Sequence, residues 1–321
     1  MILDGHNDLV LHRWRGEDTM HMDLEAARRA GFAGGFFALY VPSPRVPDPT
    51  EVPYALPLPD PIPHAEAARI ADELYACLCD LPVAIATSAA DFREGAVAAI
   101  VHLEGAEAIA ADLSNLDGWY ERGLRSIGLT WSRSNAFAHG VPFEFPASPD
   151  SGGGLTAAGR ELVRACNRLG ILVDLSHLNW AGFWEVAELS DAPLVATHSN
   201  AHALCAASRN LTDEQLRAIA DSGGIVGVNF AVTFLREDGS QVPETPIGEI
   251  VRHVDYFVEL MGVEHVGFGS DFDGAVVPEE LGGAAGFPKL VSALRDAGYA
   301  EDDVDKITHG NWLRVLESTW R

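Results

Sequence analysis

Eight short apolar runs recur along the chain, and seven of them are plainly followed by a helix-like segment. They are Met1–Leu3, Gly34–Val41, Ala98–Glu104, Leu124–Thr130, Ile171–His177, Pro193–His198, Gly224–Phe230 and Val266–Asp271. The fourth differs in meeting a polar loop first, from Trp131 to about Gly154. Near-continuous hydrophobicity marks strands buried on both faces, as in a parallel sheet covered by helices. Eight alternating βα units predict an α/β fold of the (β/α)₈ barrel type. An open doubly wound sheet has the same local pattern, but it would carry a Gly-rich nucleotide loop after the first strand. Asp4-Gly5-His6-Asn7 is no such loop. At 321 residues and 47% hydrophobic content the chain suffices for one barrel domain spanning 1–321.

Helical spacing and stop signals predict helices over Asp23–Gly31, His64–Leu81, Thr156–Gly170 and Ile247–Met261, with another starting at Thr212. Nine prolines fall between 42 and 63. A helix and another strand follow, so this stretch reads as a long loop on one domain, a flap near the active site.

The formal net charge of −25 excludes nucleic acid and anionic membrane as partners, since phosphate binding needs clustered Lys and Arg. It favours cations. No charged-then-apolar leader and no run of 18 apolar residues occurs, so a cytoplasmic protein is expected. Cys77, Cys79, Cys166 and Cys205 lack metal-binding spacing and read as buried small apolar residues in a reducing compartment.

The strand ends carry the chemistry. In a parallel barrel every strand's C-terminal end opens on one face, where catalytic groups collect. The first strand runs into His6 and Asp8, which share a face if the chain is extended. The third ends in Glu104, the fifth in His177, the sixth in His198 and the eighth in Asp271. Three carboxylates and three imidazoles exceed the roughly three protein ligands of one catalytic zinc. They suit two metal ions sharing a carboxylate, about 3.5–4 Å apart, with a hydroxide between them. Lys289 and Lys306, the only lysines, fall in C-terminal helices, so no carbamylated lysine can bridge and Glu104 takes that role. Asp271 reads as a sixth ligand, a loop-capping residue or a proton carrier. His102, two before Glu104, reads as a core histidine in preference to a ligand. His139 reads as a solvated loop residue, and Asp273 as a turn residue before Gly274. His12 and His21 show no convergent partner.

These residues stand in stretches that resemble the membrane (renal) dipeptidase family of the metal-dependent amidohydrolase barrels. The matching stretches are Asp4-Gly5-His6-Asn7-Asp8-Leu9, Glu104-Gly105, Asp174-Leu175-Ser176-His177, Thr197-His198-Ser199-Asn200 and Arg209-Asn210. Gly267-Phe268-Gly269-Ser270-Asp271-Phe272-Asp273-Gly274 and Gly310-Asn311-Trp312-Leu313-Arg314-Val315 complete the series, in order along almost the full length. The resemblance implies that His6 and Asp8 hold one zinc, that His177 and His198 hold the other, and that Glu104 bridges them. It further implies that Asp271 handles the proton and Arg209 holds the substrate's carboxylate. One departure concerns the fourth strand. Animal members carry a His after Leu-Thr that helps hold the scissile carbonyl, whereas here Leu129-Thr130 leads into Trp131. Its indole N–H can donate a hydrogen bond but cannot be charged.

The expected activity is zinc-dependent hydrolysis of the amide bond of small dipeptides by the metal-bridging hydroxide, in a chain whose oligomeric state is open, a homodimer included. One rival is another binuclear amidohydrolase acting on cyclic amides, lactones or phosphotriesters. Those commonly begin with His-x-His, and this chain has His-x-Asp. A non-catalytic peptide-binding barrel is the rival from another class, and the retained Asp271 argues against it.

Overall fold

A computed structural model describes residues 1–43 and 51–321. Its eight main strands are β1 (Ile2–Asn7), β2 (Phe32–Tyr40), β3 (Ala98–Glu104), β4 (Leu124–Gly128), β5 (Leu172–Asp174), β6 (Val195–Ser199), β7 (Ile225–Asn229) and β8 (Val266–Gly269). All neighbouring pairs are parallel, in the order β2-β1-β8-β7-β6-β5-β4-β3, and pairing of β2 with β3 closes the barrel. The expected (β/α)₈ architecture is therefore present. A short strand, Ala84–Ile85, flanks the start of β3, beside Ala98 and Ala99, before β4 joins it at Val101.

The register brings the strand ends level. Tyr40 pairs with Glu104, Glu104 with Gly128, and Gly128 with Asp174. Between strands and helices lies a continuous apolar layer that includes Leu9, Phe37, Val101, Ile127, Phe183, Phe257 and Leu290. A second cluster of Leu3, Phe36, Ile100, Leu172, Val195, Ile225 and Trp312 fills the barrel where the strands begin. Trp312 donates its indole N–H to Phe268 O (3.1 Å), and Asn311 Nδ2 donates to Val263 O and Val266 O (2.7 and 2.9 Å). The Gly310-to-Val315 stretch is thus a plug that seals the end opposite the site.

Local signals explain the helix ends. Asp23 accepts from Ala26 N, Thr156 from Gly159 N, and Thr212 forms a capping box with Gln215. Gly170 ends its helix in the left-handed region at φ 72°. The helix His64–Cys79 buries Ala67, Ile70, Ala71, Leu74 and Leu78. Cys77 and Cys79 fall off that face: Cys77 is half-buried and Cys79 exposed, against the expectation, while Cys166 and Cys205 are buried.

Within the proline-rich stretch, residues 44–50 lie outside the described residues. Further on, Tyr54–Leu56 pairs antiparallel with Phe143–Phe145 from the loop after β4. Among the described residues no helix is long and apolar enough to cross a membrane.

Candidate metal centre

At the C-terminal mouth of the strands His6, Asp8, Glu104, His177, His198 and Asp271 converge. His6 sits within β1, Glu104 closes β3 and His198 sits within β6. Three of them stand just beyond their strands. Asp8 begins a short helix, Leu9–Arg15, so it is not in the extended conformation that was expected to align it with His6. His177 and Asp271 adopt positive φ, 64° and 58°. For non-glycine residues this conformation is sparsely populated, and it is kept where the surroundings enforce it. Here it turns each side chain into the mouth.

Glu104 organises the centre. Its Oε2 is 3.6 Å from His6 Nε2, which is itself 3.4 Å from Asp8 Oδ2. Its Oε1 is 3.3 Å from His177 Nε2 and 3.8 Å from His198 Nε2, and the two Nε2 atoms are 3.0 Å apart. One carboxylate thus offers one oxygen to each of two donor pairs. Donor atoms around a tetrahedral ion with bonds of about 2.0–2.2 Å stand roughly 3.4 Å apart, and these separations bracket that value. Asp271 joins the first pair: atoms of His6, Asp8 and Asp271 lie within 4.8 Å of one another, as do those of His6, Glu104 and His198.

Electrostatics tell the same story. Burial alone would lower the pKa of His6, but the carboxylates of Glu104 and Asp8 overcome it and hold it well above the ordinary value. Burial pushes Glu104 up, and Asp8 and Asp271 add to this by like-charge repulsion. Asp271 is raised by desolvation as well. Clustered buried carboxylates of this kind are stabilised by a cation. His177 and His198 are pulled far below their ordinary value by burial, with Arg209 and His6 contributing, and stay in the neutral form that ligates metals. Both ring nitrogens of His6 are buried without a hydrogen-bond partner, a costly state unless something else satisfies them. The N/O donor set fits zinc.

Of the supporting residues, Thr197 and Gly274 stand in the family-like stretches, whereas Ser132 and Asn229 carried no signal in the sequence. His177 Nδ1 lies 2.8 Å from Ser132 Oγ, and His198 Nδ1 2.8 Å from Thr197 Oγ1. Asn229 donates to Asp271 Oδ2 (3.0 Å). Gly274 packs so closely that a Cβ there would strike Asp8 Oδ2 and Asp271 Oδ1.

The remaining candidates separate by depth. His102 is fully buried beneath the centre, its Nδ1 2.9 Å from Ser126 Oγ, and burial lowers its pKa to about 4. His139 is exposed beside Ser134, away from the centre. Lys289 and Lys306 are engaged with Glu280 O and with Glu264 and Asp303. Asp273 ties down the 19–21 segment by accepting from Met20 N and His21 N (2.9 and 2.8 Å). His12 and His21 have a partner after all, since both pack on Asp273, His12 Nε2 at 2.9 Å from its carbonyl. No sequence spacing connects these positions, which lie some 250 residues apart.

Above the centre opens a cavity of about 810 Å³. Asp8, Glu104, His177 and Asp271 form part of its floor, and Tyr40, Leu56, Trp131, Phe143 and Phe234 line one side. Trp131 packs between Tyr40 and Phe143, with ring centroids 5.0 and 5.5 Å away and ring planes tilted by 48° and 51°. Behind it Arg133 is buried in an ion pair with Glu107 (2.9 Å). Arg209 stays one layer back from the open cavity. It is 3% exposed, donates to Ser199 Oγ and His198 O (3.0 Å each), and makes no ion pair among the described residues. Burial pulls its pKa down to about 10, and its Nε–H has no partner.

With this geometry in place, the comparison with known proteins is direct. The profile of the membrane dipeptidase family (peptidase family M19) matches residues 1–320. The chain belongs to that family. Membership makes it a hydrolase of the peptidase class. A metallo peptidase from Rhodobacter sphaeroides, solved with a phosphinate mimic of the dipeptide L-Ala-D-Ala, is 47% identical, with 99% of each chain covered and a TM-score of 0.96. An uncharacterized Klebsiella pneumoniae protein from the pqqA 5' region is 52% identical over 73% of this chain and 88% of its own length. Dipeptidase aclJ of Aspergillus oryzae is 30% identical over 98% of this chain and 77% of its own length. The resemblance drawn from the strand-end motifs therefore holds for the whole dipeptidase-family chain.

Proposed function

We propose that this dipeptidase-family chain is a single-domain, zinc-dependent enzyme that hydrolyses the amide bond of small dipeptides. The observation that carries the reading is the split of Glu104, with Oε2 toward His6 and Asp8 and Oε1 toward His177 and His198. Those five residues would hold two zinc ions. Zinc bound there would acidify water enough for attack at neutral pH and would polarise the scissile carbonyl.

The chain's own groups do the rest. Asp271, at the cavity floor with one oxygen held by Asn229, takes the proton from the attacking water and returns it to the departing amine. Trp131 and its aromatic neighbours form an apolar wall that excludes water from one side of the substrate. The described parts of the stretch read as a flap reach the cavity through Ser43 and Leu56. The L-Ala-D-Ala mimic bound by the Rhodobacter sphaeroides relative supports a dipeptide as substrate.

Arg209 explains the preference for so short a peptide. Its guanidinium is buried with no direct ion-pair partner among the described residues, and a free C-terminal carboxylate one residue past the scissile bond would match its planar fork. Loss of one partner from such a pair costs on the order of 2–5 kcal/mol. A dipeptide amide should therefore be turned over at least tens-fold less efficiently than the free dipeptide. Arg209→Met should erase most of that difference, and Arg209→Lys should recover only part. Similar kcat/KM for amides, tripeptides and free dipeptides would remove Arg209 as the clamp.

A further inference from the structure

Beneath the imidazoles lies a layer of buried polar groups that the chemistry above does not use. Asp174, Ser176 and Thr197 are each at most 1% exposed. Asp174 Oδ1 accepts the backbone N–H of Ser176 (3.0 Å) and of Thr197 (2.8 Å), while Oδ2 accepts the Thr197 hydroxyl (2.7 Å). One carboxylate on β5 thereby ties the turn carrying His177 to the strand carrying His198.

A hydroxyl has one hydrogen, and here Asp174 takes it. Thr197 Oγ1, 2.8 Å from His198 Nδ1, is left only lone pairs to offer. His198 must then carry its proton on Nδ1, which leaves the Nε2 lone pair facing Glu104 Oε1 at 3.8 Å. Thr197 has little freedom to drift from this position, because its carbonyl packs where a Cβ on Gly227 or Gly269 would stand. His102 Nε2 approaches the same carboxylate from below at 3.7 Å.

We propose that Asp174 and Thr197 are positioning residues that fix His198 in its metal-binding tautomer and so set how tightly the His177–His198 side holds its ion. The inference rests on the two-metal reading above. Outer partners of this kind typically change metal affinity by about 10–100-fold when removed.

The test compares zinc affinities of the full-length protein, by competition with a chromophoric chelator, for wild type, Thr197→Val, Thr197→Ser and Asp174→Asn. Thr197→Val should weaken one of the two ions by about 10–100-fold and spare the other, and Thr197→Ser, which keeps the hydroxyl, should bind both as wild type does. Long-range ¹H–¹⁵N spectra of histidine-labelled wild-type protein should show the His198 proton on Nδ1. The inference is overturned if Thr197→Val binds both ions at wild-type affinity, or if Thr197→Ser loses as much as Val. It is also overturned if both ions weaken alike while the metal-free variant unfolds at a lower temperature, the mark of a packing defect. Should Thr197→Val not fold, the Ser variant and the wild-type tautomer decide. A wild-type chain that takes up no zinc would instead overturn the two-metal reading itself.

Discussion

At the scale of single residues, the centre assigns different tasks to chemically similar groups by their surroundings. Asp8, Glu104 and Asp271 are all carboxylates at one mouth, but only Glu104 spans both imidazole sets, and only Asp271 takes an amide donor from Asn229. Asp271→Asn keeps the shape and loses the proton acceptor. Turnover should fall by roughly 10²-fold or more, the usual scale for a lost general acid–base, while zinc content stays at two per chain. A variant that loses zinc would make Asp271 a ligand. His6, Asp8, Glu104, His177, His198 and Asp271 were legible in the sequence because barrel topology sends every strand end to one face, so chemistry-bearing residues there are forced together. Ser132 and Asn229 were not legible. Their contribution is a hydroxyl or an amide at a given point in space, and nothing in residue type or spacing marks that.

At the scale of elements, the strands were readable from hydrophobic runs, but their ends were not. β5 pairs only over Leu172–Asp174 and β8 stops at Gly269, because His177 and Asp271 turn out of the ladder to face the mouth. The ribbon of Tyr54–Leu56 and Phe143–Phe145 was likewise hidden, being three residues a side between distant loops. Helix Gly248–Met261 was expected, and its His253 supplies a pH-sensitive fastening. Nδ1 accepts from Ala201 N (3.2 Å) and Nε2–H donates to Leu235 O (2.9 Å), so the ring is needed neutral. Burial lowers its pKa from 6.5 to about 4. The folded value lies below the unfolded one, so the unfolded chain binds the proton first. Stability from this group is full above pH 6.5 and is lost as pH falls toward about 4. By pH 5 the loss is about 2 kcal/mol. Denaturant unfolding at pH 7 and pH 5 checks this. His253→Asn should be less stable at pH 7 but lose about 2 kcal/mol less than wild type on acidification. An equal loss in both would contradict it.

At the scale of the whole molecule, a net charge of −25 surrounds a mouth that itself gathers three carboxylates, so the field favours cations throughout. The barrel divides its labour along its axis. Trp312 and the apolar cluster seal the end where strands begin, and the end where they finish carries a cavity of about 810 Å³ over the centre. In the proposed function two zinc ions, held through Glu104, make this chain a dipeptidase. The most direct test is to titrate zinc into the metal-free chain while following hydrolysis of a free dipeptide. The rate should climb to its plateau at two ions per chain. A full rate at one ion per chain, or a rate indifferent to added zinc, would contradict it.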